Sequence, residues 1–170
     1  MGIPSGIIRL MKPDDFDDLF QINDASTPGV SKESRPDFQD ILSLGKCFVF
    51  ERADRDVVGF VNLIEPGTSA YQSLNLRWLE DWQAREDCSQ IYVDRIALSP
   101  DARGHNIGEN LYAFVQAEFS DRDFITAEVN TRPDNPGSHR FHQRLGFERV
   151  GEQEFTPEKA VAYYALPLKR

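Results

Sequence analysis

Gly104, Asn106 and Gly108 are residue types that let a backbone curl tightly, and they fall where such a curl has a chemical use. Glycine has no Cβ, and asparagine is among the few other residues that tolerate the left-handed region. Ahead of them a strand-like run passes through Ile96, Ala97 and Leu98 and breaks at Ser99-Pro100. Behind them a run with Ile107, Leu111, Phe114, Val115 and Phe119 at helical spacing reads as a core-facing helix. Strand, turn and helix start together form an anion site. The loop's amides point inward, and the helix adds unpaired N–H groups and the positive end of its dipole. A diphosphate is the guest this predicts. A P-loop would need Gly-Lys-Ser/Thr at its close, and Ile107-Gly108-Glu109 is unlike it. A Rossmann fingerprint needs Gly-x-Gly-x-x-Gly early in a βαβ unit, whereas this loop lies past the middle of the chain with other spacing.

The segment resembles the cofactor loop of the GNAT N-acetyltransferases, whose signature is Gln/Arg-x-x-Gly-x-Gly/Ala. Here it stands as Arg103-Gly104-His105-Asn106-Ile107-Gly108, preceded by the family's apolar-x-Pro as Leu98-Ser99-Pro100. Asn106 takes the place of the first signature glycine. Downstream, Asn135-Pro136-Gly137-Ser138 through Phe141-His142 to Gly146-Phe147 resembles the closing motif Asn-x-x-Ala/Ser-x-x-x-Tyr-x-x-x-Gly-Phe, with His142 where the family has Tyr. The resemblance covers roughly residues 47–168 and is most specific over 92–151.

The resemblance implies a mixed α/β fold, a single GNAT-like domain over residues 1–170 with a mostly antiparallel sheet. That sheet is expected to splay at a cofactor cleft between the strands holding Ile96 and Glu128. It implies acetyl-CoA as co-substrate, with the pyrophosphate on the amides of Arg103, Gly104, His105, Asn106, Ile107 and Gly108. The backbone of Ile96, Ala97 and Leu98 is expected to meet the pantetheine arm and polarise the thioester carbonyl, an oxyanion-type role. Asn135 and Ser138 are expected on the cofactor side as well. The reaction implied is direct attack by a primary amine of a small molecule or peptide, aided by alignment and proton transfer. Glu128 matches the family's base and His142 its acid; Tyr163 and Tyr164 are fallback acids, of which only one can face the cleft. The spacing from Glu128 to Asn135 is longer than in the best-understood relatives, with Pro133 in the extra turn. The alternative function is a non-catalytic acyl-CoA-binding or sensing module of the same fold.

The elements that must position these groups follow from the apolar pattern. A first strand over residues 6–11 precedes a helix opened by Pro13 and acids and broken at Thr27-Pro28-Gly29. A short helix is expected over 37–42. A hairpin of strands 47–52 and 57–64 turns at Ala53-Asp54-Arg55-Asp56. Residues 65–90 form an insert longer than the family's usual connection, with Trp78 and Trp82 on one helical face; it reads as a helix covering the sheet edge or as a substrate lid. Strands are also expected near 124–130, 150–152 and 161–166. His139 and His142 at i, i+3 lack a further nearby ligand, so no metal is expected. Asp94 reads either as a base or amine ligand, or as the partner of Arg95.

Composition narrows the partners. The net charge of -9 argues against nucleic acid, which requires a basic footprint, and is compatible with a cationic acceptor. No apolar run approaches the ~20 residues of a membrane span, and residues 1–4 read as no targeting segment. Cys47 and Cys88 are isolated, lack metal-ligand spacing, read as buried small hydrophobes and suit a reducing cytoplasm. A homodimer is allowed by the same reading.

Overall fold

The computed structural model describes residues 5–168; the reading made for residues 1–4 lies outside them. In chain order the elements are β1 (Gly6–Leu10), α1 (Phe16–Ala25), α2 (Arg35–Leu44), β2 (Lys46–Arg52), β3 (Val57–Ile64), α3 (Leu74–Glu86), β4 (Gln90–Leu98), α4 (Ile107–Glu118), β5 (Phe124–Arg132), α5 (Pro136–Arg144), β6 (Glu148–Thr156) and β7 (Lys159–Pro167). The seven strands run β1-β2-β3-β4-β5-β7-β6. β1–β2, β2–β3, β5–β7 and β6–β7 pair antiparallel, while β4 and β5 pair parallel from Gln90↔Phe124 to Tyr92↔Thr126. This is the mixed α/β, mostly antiparallel sheet expected from the resemblance. The chain groups into two compact units, Met1–Ile64 with Asp94–Glu118 and Glu65–Val93 with Phe119–Arg170.

The first unit is organised by strand alternation. Cys47 and Val49 of β2 and Phe60 of β3 turn to one face, where they meet Leu19 and Ile22 of α1 and Phe38 and Leu42 of α2. Phe48 turns to the other face and packs edge-on against Phe114 of α4, ring centroids 4.8 Å apart. The helix α2 starts earlier than the apolar pattern suggests, because Ser34 caps it: its hydroxyl accepts the Asp37 N–H at 3.2 Å. A buried polar network ties this unit to the α1–α2 connection. The Arg95 guanidinium donates to Asp94 at 2.7 Å, to Asn23 Oδ1 at 2.9 Å and to Glu33 at 3.3 Å. Breaking a pair this buried leaves an uncompensated charge, which costs about 3–5 kcal/mol.

In the second unit α3 lies on a sheet face rather than along the sheet edge. Trp78 stacks on Tyr163 of β7 with centroids 4.1 Å apart. Gly151 of β6 makes the approach feasible, since a Cβ there would stand 2.3 Å from the Trp78 ring. Trp82 meets Phe124 of β5 edge-on at 5.2 Å, and Leu76 and Leu79 are fully buried. Two indoles one turn apart need a broad apolar surface, and β5, β7 and β6 supply it. The shared face expected of Trp78 and Trp82 is thus a packing face.

Candidate active site

Two cooperating backbone features shape the loop before α4. Gly104 sits at φ 79° and Asn106 at φ 63°, both in the left-handed region and two positions apart. Arg103, Gly104, His105 and Asn106 are exposed, and a Cβ added at Gly104 would meet nothing within 4 Å. The first helical bond of α4 runs from the Asn110 N–H to the Asn106 carbonyl at 3.1 Å. The N–H groups of Ile107 and Gly108 precede it and lie at the positive helix end. Asn106, standing where the signature has glycine, thus adopts a left-handed conformation that asparagine tolerates. Ala97 is buried in the first unit's core, Ile96 and Leu98 are half-buried, and the Leu98 carbonyl accepts a 3.4 Å bond from Arg103.

In the second unit Glu128 lies opposite Tyr163 in the β5–β7 ladder. Its carboxylate accepts the Tyr92 hydroxyl at 2.7 Å and the Asn75 amide at 3.2 Å. The extra residues before Asn135 do not disturb this register, because they are absorbed further along. The ladder shifts between Asn130 and Arg132, and Asn135 N–H returns to the Asn130 carbonyl at 3.2 Å. The Tyr163 phenol donates to Asn75 Oδ1 at 2.8 Å; burial, then the charge of Glu128, push its pKa well above the ordinary tyrosine value. Tyr164, on the other face of β7, lies 2.7 Å from His139 Nδ1. His139 Nε2 lies 2.9 Å from the Asn130 carbonyl, which only accepts, so that nitrogen carries the ring proton.

The closing motif is explained by helix capping. Asn135 caps α5 by accepting the Ser138 N–H at 3.3 Å, so these two residues hold each other. At the other end Gly146, at φ 101°, donates to the Gln143 carbonyl and Phe147 N–H donates to the His142 carbonyl, each at 3.0 Å. That is a Schellman cap, and its apolar contact is the His142 ring against Phe147, 5.0 Å between centroids. His142 is buried, its Nδ1 lies 2.8 Å from the Ser138 carbonyl, and burial pushes its pKa down to about 4. Such an imidazole is neutral near pH 7. Between about 4 and the unfolded value of 6.5 the unfolded chain binds a proton that the native state does not. Native stability should therefore be intact above pH 6.5 and fall as pH drops, by about 2 kcal/mol between pH 7 and 5 from this group. Urea unfolding at those two pH values checks this: His142→Phe should flatten the difference, and an unchanged difference would show that His142 is already free to charge in the native state.

Residues 16–147 match the sequence model of the Acetyltransferase (GNAT) family. The chain belongs to the GNAT acetyltransferase family. Its fold is shared with solved members at low identity. The ribosomal-protein-S18-alanine N-acetyltransferase of Escherichia coli is 14% identical, covering 97% of this chain and 95% of that one with a TM-score of 0.71. Ard1 from Thermoplasma volcanium is 16% identical over 98% and 99%, with a TM-score of 0.73. A GNAT superfamily phosphinothricin acetyltransferase from Sinorhizobium meliloti, solved with AcCoA, is 18% identical over 96% and 88%, at 0.66. No curated protein matches the sequence. GNAT acetyltransferases use acetyl-CoA as co-substrate.

The surroundings of Asp94 and of the two cysteines are defined in this GNAT chain. Asp94 is the buried ion-pair partner of Arg95 and also accepts from Asn62 at 3.1 Å, so its carboxylate is committed to structure. Cys47 is buried as expected, with its thiol pKa pushed up by burial, whereas Cys88 is only half-buried. Among the described residues no group of three or more His, Cys, Asp or Glu could hold a metal ion, and no helix is long and apolar enough to cross a membrane. The residues that sequence reasoning missed are Asn75, Tyr92 and Gln153, the companions of Glu128 and Tyr163. Nothing local marks them, because each lies on a different element.

Proposed function

We propose that this chain is an acetyl-CoA-dependent N-acetyltransferase acting on a primary amine of a small molecule or peptide. The observation that carries the reading is the loop: left-handed Gly104 and Asn106 set ahead of α4, with amides that precede the first helical bond. The amides from Arg103 to Gly108 would hold the diphosphate, and an exposed glycine with open space around it accommodates a close backbone approach. Acetyl-CoA supplies an activated thioester. The amine nitrogen forms a bond to the acyl carbon, the C–S bond breaks, and the thiolate leaves and takes a proton from solvent. Glu128, an acceptor on the second unit, would remove the amine's proton directly or through water. His142 serves in this reading as the packing partner of the α5 cap, since a buried neutral ring tied to Ser138 is a poor proton donor.

The experiment is a panel of small primary amines and peptide N-termini incubated with acetyl-CoA, with acetylated product followed by mass. Mass detection avoids interference from the half-buried Cys88 thiol. Acetylation of at least one acceptor, with stoichiometric CoA release, is the expected result. Acetyl-CoA binding with no product from any acceptor would favour a non-catalytic acyl-CoA-binding module instead.

A further inference from the structure

We propose that Asn75 of α3, together with Tyr92 of β4, is a positioning residue that holds the Glu128 carboxylate ionised and in one orientation. This deepens the reading of Glu128 as the base and rests on it. The insert helix α3 is then a working part of the site as well as a cover for the sheet.

The two donors approach different oxygens. Tyr92 Oη meets Oε2 at 2.7 Å and Asn75 Nδ2 meets Oε1 at 3.2 Å, so rotation of the carboxylate about its terminal bond would break one or both. An ionised carboxylate only accepts, so the Asn75 nitrogen must face it and Oδ1 must point back. Tyr163 lies at that side and donates to Oδ1 at 2.8 Å. The same phenol is 2.8 Å from Gln153 Oε1, and its single proton can serve one acceptor at a time. Tyr163 stays protonated for this duty, because burial and the Glu128 charge both resist its ionisation. Its ring is held by the Trp78 stack, so the indole of α3 fixes the phenol that fixes the amide of α3. Hydrogen bonds in series polarise one another, which strengthens the bond that reaches the carboxylate. Asn75 also belongs to the first turn of α3, where Ser73 accepts the Leu76 N–H at 3.3 Å, and a helix start favours a nearby anion. Tyr92 meets the Glu128 carboxylate as a hydroxyl, while Tyr163, opposite Glu128 in the β5–β7 ladder, turns its hydroxyl to Asn75. A hydrogen bond donated to a carboxylate favours its ionised form, and Tyr92 and Asn75 supply one to each oxygen.

The test needs no acceptor. The Glu128 carboxyl carbon is followed by ¹³C NMR against pH in protein labelled at glutamate, with the resonance identified by its loss in Glu128→Gln. Tyr92→Phe removes one oxygen and should raise the titration midpoint by about one pH unit, since a donor to a charged group is lost. Asn75→Asp keeps the shape, removes the donor and adds a like charge at hydrogen-bond distance, so its midpoint should rise further. Melting curves establish that both variants are folded. Midpoints that stay put, or fall, in folded variants would overturn the proposal, because the two side chains would then not be supporting the ionised form. With any amine the wild type acetylates in the panel, kcat should drop roughly 10–10²-fold in both variants while the KM for acetyl-CoA is unchanged. A kcat unaffected in both also sinks the positioning role. Intact turnover in Glu128→Gln would instead remove the base assignment itself, while loss of turnover there with unmoved midpoints would remove only the role of Asn75 and Tyr92.

Discussion

Acetyl-CoA at a hundredfold excess over its dissociation constant should raise the melting temperature of the wild-type chain by roughly 5–10 °C, and Gly104→Glu should erase that rise. The increase is mass action: a ligand that binds only the native state at that excess contributes about 2.7 kcal/mol. The loss has two separable causes. At φ 79° any side chain is strained, at roughly 1–2 kcal/mol, and a carboxylate in the loop repels a diphosphate. Gly104→Ala separates them, because it carries the strain without the charge. A Cβ at Gly104 would meet nothing within 4 Å, so the alanine variant carries the backbone strain without a clash. Gly104→Ala should therefore melt slightly lower than wild type and retain most of the acetyl-CoA shift. Gly104→Glu should melt at the same lowered temperature with and without acetyl-CoA. A full shift in Gly104→Glu, or larger stabilisation by ATP or NAD, would take the diphosphate away from this loop.

Glu128→Gln should depress turnover by roughly 10²–10⁴-fold and flatten the rising limb of the pH profile. The substitution preserves shape and removes the acceptor proposed to take the amine's proton. The acetyl-CoA thermal shift should survive, since the loop amides are untouched. The amide of glutamine can still accept from Tyr92 through its oxygen, but its nitrogen would face the Asn75 nitrogen or displace it, so the local hydrogen bonds must rearrange. Melting curves tell whether that rearrangement costs stability. If turnover and profile were both unchanged, proton removal would fall to water. Asp94 is an unsuitable replacement because Arg95 and Asn62 already occupy its oxygens.

The elements were legible because their signals are local. The apolar runs of β2 and β3, the helical period after Ile107 and the turn at residues 53–56 each act within a few positions. The early start of α2 was missed because its cap, Ser34, lies ahead of the apolar face by which the helix was recognised. The insert helix was also recognisable from Trp78 and Trp82, but its placement was not. Helical spacing says which residues share a face, whereas Gly151, some seventy positions on, is what lets an indole lie against β6 and β7.

The same division runs through the site. By itself the sequence determined the left-handed turn ahead of α4 and the caps of α5. Left-handed glycine and asparagine, an Asn that accepts from a residue three positions on, and a Gly-Phe closure are short-range backbone chemistry written in residue type. The environment of each titratable group was decided only by the tertiary structure. Tyr92 and Asn75 reach Glu128 across separations of 36 and 53 residues. Burial beside Phe147 keeps the His142 ring neutral near pH 7, and Arg95 turns Asp94 into half of an ion pair. Protonation depends on desolvation and on the nearest donors and charges. Those are properties of a packed interior, and residue type alone does not specify which groups packing will bring together.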